Sequence, residues 1–516
     1  MKKRLFGLLL VLALCIGLLP VVALADEAAP RKVEIRILSW VDIAAEEGGA
    51  VGYLKNSEYE AYTAITETVN DEQVITGYEK AINGWTQVKG DADNWNIKFE
   101  WPAGGVPVLT LKDAKLVMVT EDGKMLYKKT TDSETGEVTY KSQNSISAIL
   151  PKSGAANCID LNLVLEGDNT VYTNNGIIRG HVGSSQHFNN ITISSKDGGK
   201  LSGRGGAIGI AASSGYNLTF DNANIDLKNT TNAGGGPIPI RTTNGNITFK
   251  NSTIKCGNTK NVAIYCETSG DIHIIDSTIN VNSQLSSTAC SACINTANGT
   301  ITIEGNKTHI TALGKNNPCL NAKKIVINGG IMDFTSAYYA IYTKATEDCT
   351  INGGTVNIMA ERAFFSAFMK GEGVMAYAGA SADSCEEYDG SDPNLAKKPW
   401  MRITNDASKF IEITEPTEEE IPIFTVPSTP ATTPTTTPTT PNTPTTPNGN
   451  DAATPSGNGS QGGSEDKTSG GDKADGTDGK NTEDGSSDLI LWIIIAVVVL
   501  GAGGAIAFIL IKRKKA

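Results

Sequence analysis

A short apolar phrase recurs along the middle of the chain, and this repeat limits the possible folds more than any other feature of the sequence. Between residues 217 and 358 its copies are NLTFDNANIDL, NITFKNSTIKC, DIHIIDSTINV, TITIEGNKTHI, KIVINGGIMDF and CTINGGTVNI. A self-similar unit with a period of about 20 to 50 residues is typical of a solenoid.

The apolar residue that begins each copy gives the period of the repeat. These anchors are Leu109, Leu163, Ile191, Leu218, Ile247, Ile272, Ile301, Ile325 and Cys349. After the first step, which contains the charged segment 130–137, successive anchors lie 24 to 29 residues apart. The sequence therefore predicts roughly nine coils.

Three apolar patches recur in each unit. The first two begin at the anchor and seven residues after it, and the third follows 15 to 22 residues after the anchor. The third patches are Ile208 and Ile210, Ile238 and Ile240, Val262 and Ile264, Ile294, Leu320, Ile341, and Phe364 and Phe365. Because apolar residues alternate with a period of two, each patch is predicted to be a strand. We therefore expect an all-β fold, a right-handed parallel β-helix over residues 106–413.

The turns between the first two strands support this prediction. Asn222, Asn251 and Asp276 lie four residues after their anchors, and Asn and Asp tolerate the left-handed backbone that a sharp corner needs. If the units stack, Asn222 and Asn251 are predicted to form an amide ladder.

Residues 26–105 have a different pattern and are predicted to form a β-rich region that caps the first coil. The region begins with the alternating segment VEIRILSW at Val33 and ends around Trp85, Trp95 and Trp101. Aromatic rings can also stack on sugars, but three tryptophans in a small region favour its own core. At the other end, the segment MRIT is predicted to be a closing strand.

The two ends of the chain predict export and a membrane anchor. Residues 1–25 combine basic residues, an apolar run and a small-residue cleavage site, as in a secretory signal peptide. Residues 489–511 carry no charge and are long enough to cross a bilayer, and the basic tail 512–516 follows them. We expect a single-pass protein of a Gram-positive-type cell surface, with its head outside and its tail in the cytoplasm.

Residues 414–487 are predicted to be a disordered stalk between the head and this anchor. Its first part, 427–448, is a Thr-Pro tract that favours extended polyproline II, and its second part, 449–487, is rich in Gly, Ser and Asp. Neither part has enough apolar residues to form a core.

Charge and cysteine content narrow the function classes further. The net charge of −12 over 516 residues makes nucleic acid a poor partner. Cys256 and Cys349 fall on apolar positions of the repeat, so most cysteines are predicted to be buried apolar residues, with disulfides as the alternative. The sequence indicates no catalytic residue, no metal-ligand set and no required cofactor.

Basic side chains supply the first group of candidate binding residues. Arg179 and His181 lie close together, and Arg204 and Arg241 are expected on following coils, where the group would form a basic stripe. Such a stripe suits acidic sugars, because a guanidinium binds a carboxylate through two parallel hydrogen bonds. The alternative is that these are solvated surface charges.

Tyrosines supply the second group. Tyr338, Tyr339 and Tyr342 cluster on one coil and would offer an exposed aromatic platform to a sugar.

A family resemblance is carried by the repeats, by the segment VPVLTLKDAKL, and by the segment GVMAYAGASADS followed by KKPWMRI. In these segments the chain resembles pectate-lyase-like parallel β-helix proteins, which are described as carbohydrate-binding domain-containing surface proteins of Firmicutes. The resemblance covers residues 106–413 and implies contact with plant-type or microbial glycans. The segment from Gly180 to Gly183 matches the polygalacturonase pattern loosely, and the other motifs of that pattern are missing. A lyase would need a calcium site, for which Asp221, Asp226, Asp271 and Asp276 are the nearest candidates.

Two classes of function therefore remain open, besides a purely structural spacer or an adhesin for a host protein, whose ligand face would look the same in sequence. The first is a membrane-anchored extracellular β-helix that binds polysaccharide without cleaving it, as a carbohydrate-binding or adhesive surface protein. The alternative is a calcium-dependent, pectate-lyase-like or polygalacturonase-like enzyme tethered to the cell surface. The missing acidic cluster favours the first, since fold alone does not confer activity.

Overall fold

The computed structural model describes residues 31–406, apart from gaps at 39–40, 143–146, 153–157, 184–185, 207, 229–237, 260, 284–291, 382–383 and 391. The predicted signal peptide, stalk, membrane helix and basic tail lie outside the described residues. Within the described part, no helix is both long and apolar enough to cross a membrane.

The described residues fall almost wholly into strands. The first ten are β1 (Lys32–Ile37), β2 (Val41–Glu46), β3 (Gly52–Val69), β4 (Glu72–Lys89), β5 (Ile97–Glu100), β6 (Val108–Lys112), β7 (Lys115–Val117), β8 (Tyr127–Thr131), β9 (Val138–Ser142) and β10 (Ser147–Pro151). The next twelve are β11 (Cys158–Tyr172), β12 (Gly176–Arg179), β13 (His181–Gly183), β14 (Gln186–Arg204), β15 (Ile208–Ala211), β16 (Leu218–Asp221), β17 (Asn224–Lys228), β18 (Ile238–Thr242), β19 (Ile247–Lys250), β20 (Thr253–Thr259), β21 (Ile264–Cys266) and β22 (Ile272–Ile275). The last are β23 (Thr278–Ser283), β24 (Ile294–Glu304), β25 (His309–Gly314), β26 (Leu320–Ile327), β27 (Ile331–Tyr342), β28 (Cys349–Ile351), β29 (Thr355–Phe364), β30 (Met369–Lys370), β31 (Met375–Gly379), β32 (Cys385–Glu387) and β33 (Trp400–Thr404), with 3-10 helices at Thr346–Asp348 and Leu395–Lys397. The all-β prediction is confirmed.

Most of these strands pair in parallel with the matching strand of the next repeat, and the pairings form three ladders. The first ladder contains β6, β11, β14, β16, β19, β22, β24, β26, β28 and β30. The second contains β7, β11, β14, β17, β20, β23, β25, β27 and β29. The third contains β10, β12, β15, β18, β21, β24, β26, β27 and β29.

The predicted alignment of the repeats is correct from Ile191 onward and between the two earlier copies, but it is wrong by two residues at the step from Leu163 to Ile191. Ile191 pairs with Leu161, two residues before the predicted anchor Leu163, and Leu163 pairs with Ile193. The predicted pairing of Leu109 with Leu163 is confirmed, so the two earlier copies are displaced together. The chain absorbs the difference in a longer corner, where the register between β11 and β14 shifts after Glu166.

Alternate residues of each ladder are buried and form one continuous core. In the first ladder Phe220 and Phe249 are both fully buried, with ring centroids 4.9 Å apart. The predicted third strands also align, since Ile240 pairs with Ile264 and Ile264 with Ile294. Buried cysteines continue these rows, namely Cys256, Cys266, Cys293, Cys319 and Cys349, and no disulfide joins any two of the described cysteines.

Polar side chains hold successive repeats together at the corner before the first ladder. The Oδ1 atom of Asn190 accepts a hydrogen bond from the backbone N–H of Asn217 at 3.1 Å, and Asn217 in turn accepts from Asn246 at 2.9 Å. Asn246 continues the series by accepting from Asp271 at 2.8 Å. The amide ladder predicted at Asn222 takes another form, because its Nδ2 atom donates to the carbonyl of Ser195 at 3.0 Å.

Antiparallel strands cover the ends of the ladders. Strand β5 pairs with β6, which starts the first ladder, and β1 pairs with β10, which starts the third. At the far end β33 pairs with β29, the last strand of the second ladder. Of the predicted core tryptophans, Trp101 is 5% exposed, whereas Trp85 and Trp95 are partly exposed.

Candidate functional site

Four aromatic side chains form a cluster where the second and third ladders end. Tyr339 makes edge contacts with Tyr338 and Phe365, at centroid distances of 4.3 and 5.2 Å. Tyr342 lies 4.4 Å from Phe365, with the two rings inclined by 33°. The structure therefore brings the three predicted tyrosines together and adds Phe365 to them, and we call these four residues the aromatic cluster.

Strand β27 creates this cluster because it runs from the second ladder into the third without a break. The register between β27 and β29 shifts between Ser336 and Tyr339, after which Tyr339 pairs with Arg362 and Ile341 with Phe364. Ile341 and Phe364 point into the core, so their neighbours Tyr342 and Phe365 point outward. Phe365 is 37% exposed, whereas Tyr339 at 9% forms the base of the cluster.

A pocket of about 390 Å³ opens beside the cluster. Tyr339 and Phe365 form its aromatic wall, and Arg362 and Lys397 bring two cationic groups to its lining. Arg362 Nη1 donates to the Tyr339 hydroxyl oxygen at 3.3 Å, and its guanidinium carbon lies 5.8 Å from that ring centroid. The rest of the lining includes the hydroxyl groups of Thr346 and Ser366, so the pocket is mainly polar with one aromatic wall.

The predicted arginines do not gather into a single stripe. Arg179 and Arg241 occupy the same row of the third ladder, but Ala211 lies between them. Arg241 forms an ion pair with Glu267, and Thr243 donates to the same carboxylate at 3.3 Å. This carboxylate therefore partly neutralises the charge of Arg241.

Arg204 belongs to the second ladder and is only 1% exposed. Gly123 lies directly over its guanidinium, where an added Cβ would overlap it. Burial lowers the pKa of Arg204, although Asp122 and Tyr172 oppose the shift. A sugar outside the protein would have to displace this cover to reach Arg204.

His181 lies on β13, whose backbone pairs with β14 opposite His187. The side chain of His181 lies outside the described part of the chain. Its role in binding stays a prediction.

Two of the four aspartates considered for calcium, Asp271 and Asp276, accept hydrogen bonds from the backbone. Asp271 Oδ1 accepts the backbone N–H of Thr300 at 2.7 Å, and Asp276 occupies a corner with a φ of 45°. Asp221 and Asp226 lie in the first and second ladders, respectively. Across the described ranges, no group of three or more His, Cys, Asp or Glu residues is placed to hold a metal ion.

Sequence reasoning missed Arg362, Lys397 and the outward direction of Phe365. Phe364 and Phe365 together form one of the predicted third strands, and adjacent strand residues face opposite sides. Strand alternation could have identified Phe365, but nothing local in the sequence brings Lys397 to Arg362.

Comparisons with family models, curated proteins and solved structures found no match for this chain. The resemblance to pectate-lyase-like proteins therefore depends on the quoted sequence motifs alone.

Proposed function

We propose that the chain is a surface-displayed parallel β-helix that binds polysaccharide without cleaving it. The three parallel ladders support a β-helix of about nine coils, since each strand of a ladder pairs with its counterpart one repeat later, and the right hand of this helix is part of the proposal. The sequence motifs support a place among pectate-lyase-like carbohydrate-binding proteins. In this proposal the signal peptide exports the head, and residues 489–511 anchor it below the stalk.

The aromatic cluster and its pocket are the observation that carries the binding proposal. The partly exposed rings of Tyr342 and Phe365 offer apolar faces to a pyranose, while Arg362 and Lys397 can bind hydroxyl or carboxylate oxygens. An apolar face with cations at its edge suits an extended sugar chain with acidic residues. No cofactor takes part in this binding.

A binding assay with a matched pair of tyrosine variants tests the proposal. Tyr265 and Tyr342 occupy the same row of the third ladder and are both partly exposed, but Tyr342 contacts Phe365. We expect the full-length protein in mild detergent to be retained by insoluble pectin. Tyr342→Ala should weaken retention by about tenfold, the equivalent of about 1.4 kcal/mol, whereas Tyr265→Ala should leave it unchanged.

Product analysis on the same samples separates binding from catalysis. We expect no release of unsaturated or reducing ends from polygalacturonate with calcium present. Release of unsaturated ends would replace this proposal with the tethered lyase, and equal retention of both tyrosine variants would remove the aromatic cluster from it.

A further inference from the structure

A four-stranded antiparallel sheet extends from the region that covers the first coil. Its strands follow the order β4, β3, β8 and β9. Strands β3 and β4 are 18 residues each and meet at Asn70 and Asp71, both with positive φ. We call this sheet the arm.

Four tyrosines lie side by side on one face of the arm, one from each strand. Tyr78 stacks on Tyr140 with centroids 4.0 Å apart and planes inclined by 11°. Tyr62 meets Tyr140 edge-on at 5.2 Å, and Tyr127 meets Tyr78 edge-on at 5.0 Å. All four are partly exposed, so they form a continuous aromatic surface in contact with solvent.

The opposite face of the arm is the one that packs on the rest of the fold. Ala61, next to Tyr62, is buried with Val117 and Leu126 in a small apolar cluster. Adjacent strand residues point to opposite sides, so the tyrosines face away from that cluster. The apolar core therefore does not account for the tyrosine face.

Two lysines border the tyrosines on the same face. Lys129 is directly opposite Tyr140, and its Nζ lies 6.0 Å from the centroid of Tyr62. Lys80 is directly opposite Tyr62 and pairs with Glu60 at 2.8 Å. Because Glu60 already pairs with Lys80, Lys129 is the lysine whose ammonium group would complement a carboxylate of a ligand lying on the rings.

We propose that the tyrosine face of the arm is a second glycan-binding site, for a chain of acidic pyranoses. The inference depends on the proposed function in taking a glycan as the ligand, and it places this site apart from the aromatic cluster. Two sites on one chain raise the apparent affinity for a long polymer above that for a short oligosaccharide, because the second contact is intramolecular.

Two adjacent lysines of β8 provide a matched pair of variants. Lys129 lies on the tyrosine face, whereas Lys128 lies on the opposite face, with its Nζ atom 5.6 Å from the ring centroid of Tyr59. The full-length protein in mild detergent is titrated with polygalacturonate and with neutral dextran. We expect Lys129→Gln to weaken polygalacturonate binding at least threefold, and Lys128→Gln to leave it unchanged. Replacing both Tyr78 and Tyr140 by Ala should weaken it at least tenfold, while Tyr78→Phe keeps most of the affinity.

The outcomes separate this inference from the proposed function. Wild-type affinity in Lys129→Gln, together with weaker binding in Tyr342→Ala, overturns the second site and leaves the first. Failure of the wild-type protein to bind either polysaccharide overturns both. If the double tyrosine variant instead dissociates a dimer in light scattering and keeps its affinity, a second copy of the chain occupies the face and the inference is wrong. Lys129→Gln decides the question if the double variant disturbs the arm.

Discussion

Phe249 stacks on Phe220 of the preceding repeat, with ring centroids 4.9 Å apart and ring planes inclined by 18°. Both side chains are fully buried, and they come from equivalent positions of β19 and β16. The stacking of identical side chains at the repeat distance is therefore part of what sets the register between units.

Removing one of these rings should destabilise the fold strongly. We expect Phe249→Ala to lower the free energy of unfolding by about 3 to 5 kcal/mol, because it leaves a cavity in the core. The outward neighbour Thr248→Ala is the control and should change it by less than about 0.5 kcal/mol. Urea denaturation followed by circular dichroism measures both. Equal midpoints would contradict the role given to the stacked rings.

The corner at Asn251 should reject a β-branched residue and accept glycine. Its φ of 50° lies in the left-handed region, and its side chain is exposed. Asn251→Val should therefore cost about 1 to 2 kcal/mol, whereas Asn251→Gly should cost only a few tenths. Thermal denaturation of the two variants gives the difference, and a valine variant as stable as the glycine variant would show that the corner relaxes.

The ion pair between His309 and Asp333 should make stability depend on pH. Nε2 of His309 lies 2.8 Å from Oδ2 of Asp333, and this hydrogen bond raises the pKa of His309 above 6.5 against the effect of burial. Burial pushes the pKa of Asp333 upward, but hydrogen bonds from His309 and Asn357 outweigh it and hold the pKa below 3.8.

The direction of the effect follows from these two shifts. The contribution of His309 is complete below pH 6.5 and is lost as pH rises through its raised pKa. The contribution of Asp333 is lost as pH falls below 3.8 through its lowered pKa. Since both side chains are more than a third exposed, the total should stay below about 1 kcal/mol. As pH rises from 6 to 9, the denaturation midpoint of the wild-type protein should fall, and that of His309→Gln should fall less. His273→Gln is the control and should behave as the wild type.

The cysteines should differ sharply in reactivity towards a maleimide. Cys158 is exposed, whereas burial raises the pKa of the Cys266 thiol to about 12 and that of Cys256 still further. Only the thiolate reacts, so Cys158 should be labelled within minutes in the native protein and Cys266 and Cys256 only after denaturation. Peptide mapping by mass spectrometry reads the order, and rapid native labelling of Cys256 would mean that the core opens.

Two arginines should contribute unequally to polysaccharide binding. Arg362→Gln should weaken retention on pectin about tenfold, because it removes a cation from the pocket beside Tyr339. Arg241→Gln should change retention by less than about twofold, because Glu267 already pairs with Arg241. Retention of the two variants on the same pectin column gives the comparison. Weaker retention of Arg241→Gln than of Arg362→Gln would place the binding site at the row of Arg241 instead.

The sequence was sufficient for the strand class and for most of the parallel register, because each unit repeats its apolar alternation. It failed at Leu163 because a pattern with a period of two is unchanged by a shift of two residues, and Leu161, Leu163 and Leu165 are all apolar. The polar residue before the anchor does not decide between the two alignments, because Asp160 precedes Leu161 and Asn162 precedes Leu163. In the structure Asp160 accepts the N–H of Asn190, the residue before Ile191, at 3.1 Å.

The candidate site was only partly accessible from the sequence. Three tyrosines close together in the chain were identified because one strand carries them, whereas Lys397 reaches the same pocket through tertiary folding. The arm was missed although Asn70 and Asp71 are residues that favour a two-residue hairpin. Spacing along the chain suggested one stripe for Arg204 and Arg241, but the corners between strands place them in different ladders.

The antiparallel strands β5, β1 and β33 allow the number of repeats to vary independently of the ends. Every interior unit meets its neighbours through the same backbone geometry, so removal of residues 247–271 would join segments that already occupy equivalent places, at Asn246 and Ile272. Duplication of the same stretch would lengthen the ladders with no new terminal surface. Insertion or deletion of whole repeats in the gene would therefore change the length of the ladders and leave the strands at both ends intact.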